Sequence, residues 1–332
     1  MAATLSDVAA IAGVSIKTVS NVIHDYPHIR PATKQRVLDA IEATGYRPNL
    51  TARNLRTGRT GVISLVVPTL RNPYFAELAE AVMDAADREG LSVLIEQSRG
   101  VDGGAARASK AQLVDGMLFS TLGPEQEDTG LYAQLAPTLE NGTADPAVDH
   151  VTMRNTEAIR AATEHLIGLG RTRIVAIGAR AGDVSGAASL RLLGYRQALD
   201  AAGIAERAEL VRPVSTWTRF DGATETDRLL DEGVEFDGIV AFNDALALGA
   251  LRALGQRGIR VPEQVSVIGF DDLDESRYSL PALSTISPGR EQIAALAVQM
   301  LAERIAARDE TLPARNITVP FTLVERESTA QA

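Results

Sequence analysis

From residue 62 onward, short apolar runs alternate with Ala- and Leu-rich stretches of helical period. Val62-Ile63-Ser64-Leu65-Val66-Val67 is too continuously apolar for a strand with one wet face, and predicts a buried parallel strand. Residues 75–89 repeat apolar positions at helical spacing, and Gly90 ends that stretch. Residues 91–95, 115–119, 173–178, 238–242 and 265–270 predict further strands. This alternation predicts doubly wound α/β layers on parallel sheets. The pattern also echoes itself. LVDGMLFS in the first half resembles EFDGIVAFND in the second, and GVISLVVP resembles RTRIVAIG. Two similar α/β halves predict a ligand site between them.

The first 60 residues follow another rule. Thr4 with Asp7 three residues on predicts a helix N-cap. Val8, Ala9, Ile11 and Ala12 follow at helical spacing, and Gly13 closes the helix. Ser15 predicts the cap of a second helix, residues 16–23, with Val19 and Val22 inward. Ala9 is small enough for a close helix crossing, Gly13 makes the turn and Val19 fills the wedge, which predicts a helix-turn-helix. Pro31 predicts the start of a third helix with Val37, Leu38, Ile41 and Ala43 on its apolar face and Gly45 as its stop. Arg30 before it is a poor cap. Residues 50–58 are too few and too polar for a stable isolated helix, and predict one that forms on DNA.

Charge sharpens the division. The chain of 332 residues carries a net charge of −10, which opposes nucleic-acid binding at first sight. Residues 1–59 nevertheless hold eight basic side chains against four acidic ones, so that segment is +4 and the remainder −14. A basic module on an acidic body suits a protein that meets phosphates at one end.

The ungapped run from Thr4 to Gly61, TLSDVAAIAGVSIKTVSNVIH through TGYRPNLTARNLRTGRTG, resembles the headpiece of LacI/GalR repressors. The resemblance implies that Ile16, Lys17 and Asn21 read base edges in the major groove, with Thr18 and Ser20 on phosphates. Thr4, Ser15, Asn49 and Arg56 complete the expected DNA-binding set. Leu55, with Ala52 beside it, matches the leucine that wedges into the minor groove, an apolar insertion that kinks the duplex; a linker residue packed on the body is the other reading of Leu55. Ile16 at a reading position implies an apolar contact, for example to a thymine methyl.

The body, to about Ser328, resembles periplasmic sugar-binding proteins as that family's body does. In such sheets ligands sit beyond the carboxyl ends of strands. Asn72, Tyr74 and Phe75 in the segment Arg71-Asn72-Pro73-Tyr74-Phe75 match the family's effector segment, and Arg191 its effector-contacting arginine. Trp217 lies where the family places an aromatic against the ligand. Asn243-Asp244 and Asp271-Asp272 each follow a strand, and Asn243 and Asp271 join the expected effector set. Singly, Asp271 also reads as a turn cap, Arg191 as a surface helix residue and Trp217 as core. Together they offer carboxylate, amide, guanidinium and ring to a sugar.

Two stretches depart from the family pattern. Residues 98–114 are short and rich in Gly and Ala, with a brief helix expected over 104–113. Residues 135–147 replace a strongly apolar strand, which predicts a weakened edge in the first subdomain. Asp149 and His150 keep the family spacing. Residues 290–307 predict a helix returning to the first subdomain, and residues 317–324 a crossing back to the second.

The expected organisation is a headpiece over 1–48 and a hinge over 49–59. An amino-terminal subdomain follows over 60–159 and 289–319, and a carboxy-terminal subdomain over 160–288 and 320–332. The chain has no cysteine, so disulfides and thiolate metal sites are excluded. Its four histidines show no ligand spacing, and neither metal nor cofactor is expected. No signal segment and no apolar run of about 18 residues is visible, which predicts a cytoplasmic protein. The ending RESTAQA lacks leucine heptads, so a homodimer is expected rather than a coiled-coil tetramer. The implied partners are pseudo-palindromic operator DNA and a small-molecule effector of sugar type. No nucleotide-binding glycine motif, nucleophile elbow or P-loop points to an enzyme. A solute-binding protein of a sugar transport system is the alternative that the body alone allows.

Overall fold

A computed structural model describes residues 3–23, 26–46, 59–97, 113–120, 131–135, 148–180, 186–307 and 312–330. The chain divides into two compact units, residues 1–60 and 61–332.

In the first unit, α1 (Leu5–Ala12), α2 (Ile16–Ile23) and α3 (Pro31–Thr44) enclose a small core of Val8, Ala9, Ala12, Val19, Val22, Val37 and Ala40. Thr4 and Asp7 form a full capping box: each side chain takes the other's backbone N–H. Such a cap contributes about 1 kcal/mol. Gly13 sits at φ 63° and Gly45 at φ 61°, left-handed conformations that glycine adopts without a Cβ penalty. Ser15 Oγ accepts from the Thr18 N–H at 3.1 Å, so it caps α2 as its sequence predicts. Arg30 makes no side-chain cap. The expected face of α3 needs one correction. Leu38 and Ala43 are exposed, and Ala40 takes the inner position three residues beyond Val37.

The second unit contains two six-stranded sheets. The first lobe is formed by β1 (Val62–Val67), α4 (Pro73–Arg88), β2 (Ser92–Gln97), β3 (Gly116–Ser120), β4 (Leu131–Leu135) and β5 (Asp149–Met153). The second begins with α5 (Asn155–Gly168), β6 (Ile174–Ala179), α6 (Ala187–Ala201), β7 (Val211–Pro213), α7 (Arg219–Asp231) and β8 (Gly238–Ala241). It continues through α8 (Asp244–Gln256), β9 (Ser266–Phe270), α9 (Asp274–Tyr278) and β10 (Ser284–Ser287). Then α10 (Arg290–Ala307) returns to pack on α4, β3, β4 and β5, and β11 (Asn316–Val319) joins β5. Last, β12 (Thr322–Val324) crosses back to pair with β10.

The first sheet runs β11-β5-β4-β3-β1-β2 and the second β12-β10-β9-β8-β6-β7. Within each, β1 and β6 are flanked on both sides by strands that follow them in the chain. The order therefore reverses there, and the loops after β1, β3, β6 and β8 open at a topological switch point.

The expectation of a weakened edge over 135–147 falls, but for Leu135, outside the described residues of the first sheet. The edges of that sheet are β11 and β2, whereas β4 lies inside, antiparallel to both β3 and β5. An antiparallel strand needs apolar residues only at alternate positions, and Leu131 and Ala133 supply them. Residues 136–147, most of the expected short helix near 104–113 and, but for residue 59, the expected hinge over 49–59 lie outside the described residues.

Candidate functional site

On α2 the inner positions are Val19 and Val22, so helical geometry puts Lys17, Ser20 and Asn21 on the opposite side, with Ile16 in the first turn at the margin of the buried face. Ile16 is 51% exposed although it is the helix's largest apolar residue beside Ile23, and Lys17 next to it is exposed too. Thr18 bonds Ser15 through both its N–H and its hydroxyl, at the start of this helix. The result is a short rigid helix presenting one apolar, one cationic and one amide side chain. Side chains of these three kinds are suited to contact base edges in a major groove. Asn49, Ala52, Leu55 and Arg56 lie outside the described residues.

In the body, Arg191 on α6 is 2% exposed. Its Nε donates to Asn155 Oδ1 at 2.8 Å, and its Nη1 to the Phe242 carbonyl. Its Nη2 meets Met153 Sδ at 3.7 Å. The guanidinium lies over Phe270, 3.6 Å from the ring centroid, and 5.1 Å from that of Trp217. Cation–π contact and hydrogen bonding thus fix a planar charge. Trp217 packs edge-on against Phe242, and its indole N–H donates to the Gly178 carbonyl at 2.9 Å. With that donor used, the indole offers a ring to a ligand.

Asp271 follows β9 directly and is 5% exposed. Burial pushes its carboxyl well above the usual carboxylate range; the Arg191 charge opposes this and the nearby Asp244 adds to it. No described residue hydrogen-bonds that carboxyl. Its backbone holds φ 125°, and Asp272 follows at φ 51°. Both are uncommon for residues with a Cβ, and such strain collects at functional sites.

Neighbouring polar groups divide into ligand candidates and scaffold. Asn243 caps α8 through Oδ1 to the Leu246 N–H and donates from Nδ2 to the Trp217 carbonyl. Asp244 is fully buried and accepts from Thr285 Oγ1, Ser276 Oγ and the Leu273 N–H. Burial raises its carboxyl to about 6, against those three bonds. Asp272 pairs with Arg326 at 2.6 Å. In the first lobe, Asn72 caps α4 by accepting from the Tyr74 N–H, while Tyr74 and Phe75 are buried edge-to-face at 5.3 Å.

Four of the expected effector residues therefore come together: Arg191, Trp217, Asn243 and Asp271. Asn72, Tyr74 and Phe75 stand on α4, which reaches the Asp271 loop one turn on, through Glu77. Sequence reasoning missed Asn155, Phe270 and the Phe242 carbonyl, which hold Arg191. Phe270 immediately precedes Asp271 and was read only as strand. Among the described residues no cluster of potential ligands could hold a metal, and no helix is long and apolar enough to cross a membrane.

Residues 4–49 match the family model for bacterial regulatory proteins of the lacI family, and residues 163–329 that for a periplasmic binding protein-like domain. The HTH-type transcriptional regulator RegA of Clostridium saccharobutylicum is 31% identical over 339 residues, covering 99% of this chain and all of RegA. The chain belongs to the LacI family. Among solved structures, a putative LacI-family transcriptional regulator from Sanguibacter keddieii is 44% identical, with a TM-score of 0.72. It spans 82% of this chain and 100% of its own. A complex of the transcriptional regulator CelR with cellobiose is 30% identical, covers 98% of this chain and 99% of its own, and has a TM-score of 0.68. As a LacI-family member the chain is a DNA-binding transcriptional regulator and not an enzyme. The headpiece also decides against the solute-binding alternative, which the body by itself would permit.

Proposed function

We propose that this regulator is a homodimeric, cytoplasmic repressor whose operator affinity is set by a sugar bound between the two lobes. The observation that carries the effector class is the nearness of the buried Arg191 guanidinium, beside the rings of Trp217 and Phe270, to the buried Asp271 carboxyl, whose titration its charge influences. A sugar offers vicinal hydroxyls to a guanidinium–carboxyl pair and an apolar ring face to an aromatic. A buried carboxyl with no hydrogen bond from any described residue rejects ligands that lack the matching hydroxyl, because it would stay desolvated and unpaired. The cellobiose complex of CelR supports the same class. Two headpieces would read the halves of a pseudo-palindrome, with Ile16, Lys17 and Asn21 toward the bases. The Leu55 pair would insert at its centre. Ligand would act by changing the relative affinity of the bound and free states, reciprocally.

A thermal-shift screen of the full chain against mono- and disaccharides, with purine bases as the contrast, tests the class. A sugar should raise the melting temperature by mass action, and the same sugar should change operator affinity in a gel-shift titration. Stabilisation by a purine base with no response to any sugar would overturn the sugar reading. Leu55→Ala should weaken operator binding and keep the sugar-induced shift; unchanged operator affinity would remove the wedge role.

A further inference from the structure

The loop from Asp271 to Asp274 belongs to the second lobe, yet the first lobe grips it at two backbone atoms. Glu77 on α4 and Arg290 at the start of α10 form an ion pair at 2.9 Å, their side chains 21% and 13% exposed. Both helices pack on the first sheet and on each other. From this pair, Arg290 Nη1 donates to the Asp271 carbonyl at 3.2 Å, and Glu77 Oε1 accepts from the Asp274 N–H at 3.1 Å. One cation and one anion thus meet one acceptor and one donor three residues apart. The second lobe holds the same loop at other points. The Asp271 N–H donates to the Ile286 carbonyl, the Leu273 N–H to Asp244, and Arg326 pairs with the Asp272 side chain.

Those restraints matter because Asp271 and Asp272 both hold positive φ. A non-glycine pair in that region persists only where the surroundings over-determine it. Two of the determining contacts come from the opposite lobe. We infer that Glu77 and Arg290 form an interlobe clamp that positions the Asp271 loop, so that movement of the lobes and the orientation of the Asp271 carboxyl are coupled. Glu77 and Arg290 are positioning residues: neither needs to touch a ligand. The clamp also joins the two halves of the candidate site, since Glu77 lies one turn beyond Tyr74 on α4.

The test uses the full chain without any ligand, so its outcome is separable from the sugar reading. Hydrogen exchange would be followed in Glu77→Ala and Arg290→Met. Exchange at residues 271–276 should rise about tenfold, the factor expected from losing a charge-assisted hydrogen bond, while β6 keeps its protection. The absence of cysteine also allows two spin labels, at Asp87→Cys on the first lobe and Gln256→Cys on the second, in dimers diluted with unlabelled chain. Their distance distribution should broaden in both clamp variants. If either variant also loses protection at β6, Glu77→Gln and Arg290→Lys replace them. These keep an acceptor or a charge but not the paired grip, and should loosen 271–276 alone. Parent-like exchange at 271–276 together with an unchanged distance distribution would overturn the clamp.

Discussion

The guanidinium of Arg191 lies 3.6 Å from the centroid of the Phe270 ring, one residue before the buried carboxyl of Asp271. Lysine cannot reproduce that contact, because a point charge on a flexible stem has neither the planar face nor the fixed fork. Arg191→Lys should lower the affinity of the sugar found by screening by about 100-fold and leave operator affinity within about threefold; calorimetry and gel shift read the two separately. Arg191→Ala should cost about 3 kcal/mol of stability as well, since it leaves Asn155 Oδ1 and the Phe242 carbonyl buried without their donor. Normal sugar affinity in the lysine variant would remove Arg191 from the ligand site.

A second prediction concerns the backbone beneath the indole. Gly178 holds φ 127°, and a Cβ placed there would lie 2.5 Å from Phe242 Cβ. Gly178→Ala is therefore both strained and obstructed, and should lose about 2–4 kcal/mol in urea unfolding. The displaced Phe242 carries the carbonyl that Arg191 bonds, and the Gly178 carbonyl takes the Trp217 N–H. Since Trp217 is the only tryptophan, its emission should shift in the folded variant. A variant with parent emission and parent urea midpoint would show that the contact relaxes freely.

These examples mark what the sequence could reveal. Thr4 with Asp7, Gly13 and Gly45 were legible because caps and left-handed stops act within one helical turn. The strand run at 62–67 was legible because a strand buried on both faces is apolar throughout. Arg191 and Asp271 were legible through family resemblance and their places after strands. What stayed hidden depends on distant partners. Asp149 looked like part of a family spacing, whereas it is a structural anchor for Arg304 and Arg315, which are 155 and 166 residues away. The antiparallel course of β4 was hidden for the same reason: strand direction is set by neighbours, not by local pattern. Asp271 and Asp272 are identical in sequence chemistry. Only the fold leaves the Asp271 carboxyl without a hydrogen bond from any described residue and pairs that of Asp272 with Arg326.

Two buried carboxyls should give stability opposite slopes with pH. Burial pushes Asp149 up, but hydrogen bonds from Arg304 and Arg315 outweigh it and bring the carboxyl to about 2. Its contribution, roughly 2 kcal/mol, is present above about pH 4 and is lost as pH falls toward 2. Asp244 is raised by burial to about 6. The folded state therefore holds that proton more tightly than the unfolded chain, and a rise from about pH 4 to 6 should withdraw roughly 3 kcal/mol. Asp244→Asn should flatten the slope above pH 4, and Asp149→Asn the slope below it. Urea midpoints measured from pH 2 to 7 check both. An unaltered slope above pH 4 in Asp244→Asn would mean that other groups set it.

Ile16 is half exposed in the first turn of α2, at a position where contact with solvent would favour a polar residue. The proposed contact of Ile16 with a thymine methyl can be isolated from every other headpiece contact, because deoxyuridine differs from thymidine only by that methyl. Operator DNA with deoxyuridine at the contacted thymine should bind more weakly by about 1 kcal/mol, the order of one buried methyl group. Ile16→Ala should lose affinity for the thymine operator and become nearly indifferent to the replacement. Lys17→Ala should keep the thymine preference while weakening binding to the other bases it reads, so the two residues separate in one set of gel-shift titrations. Equal thymine preference in Ile16→Ala and the parent chain would place the isoleucine outside the groove. The exposed side chain would then need an explanation other than DNA.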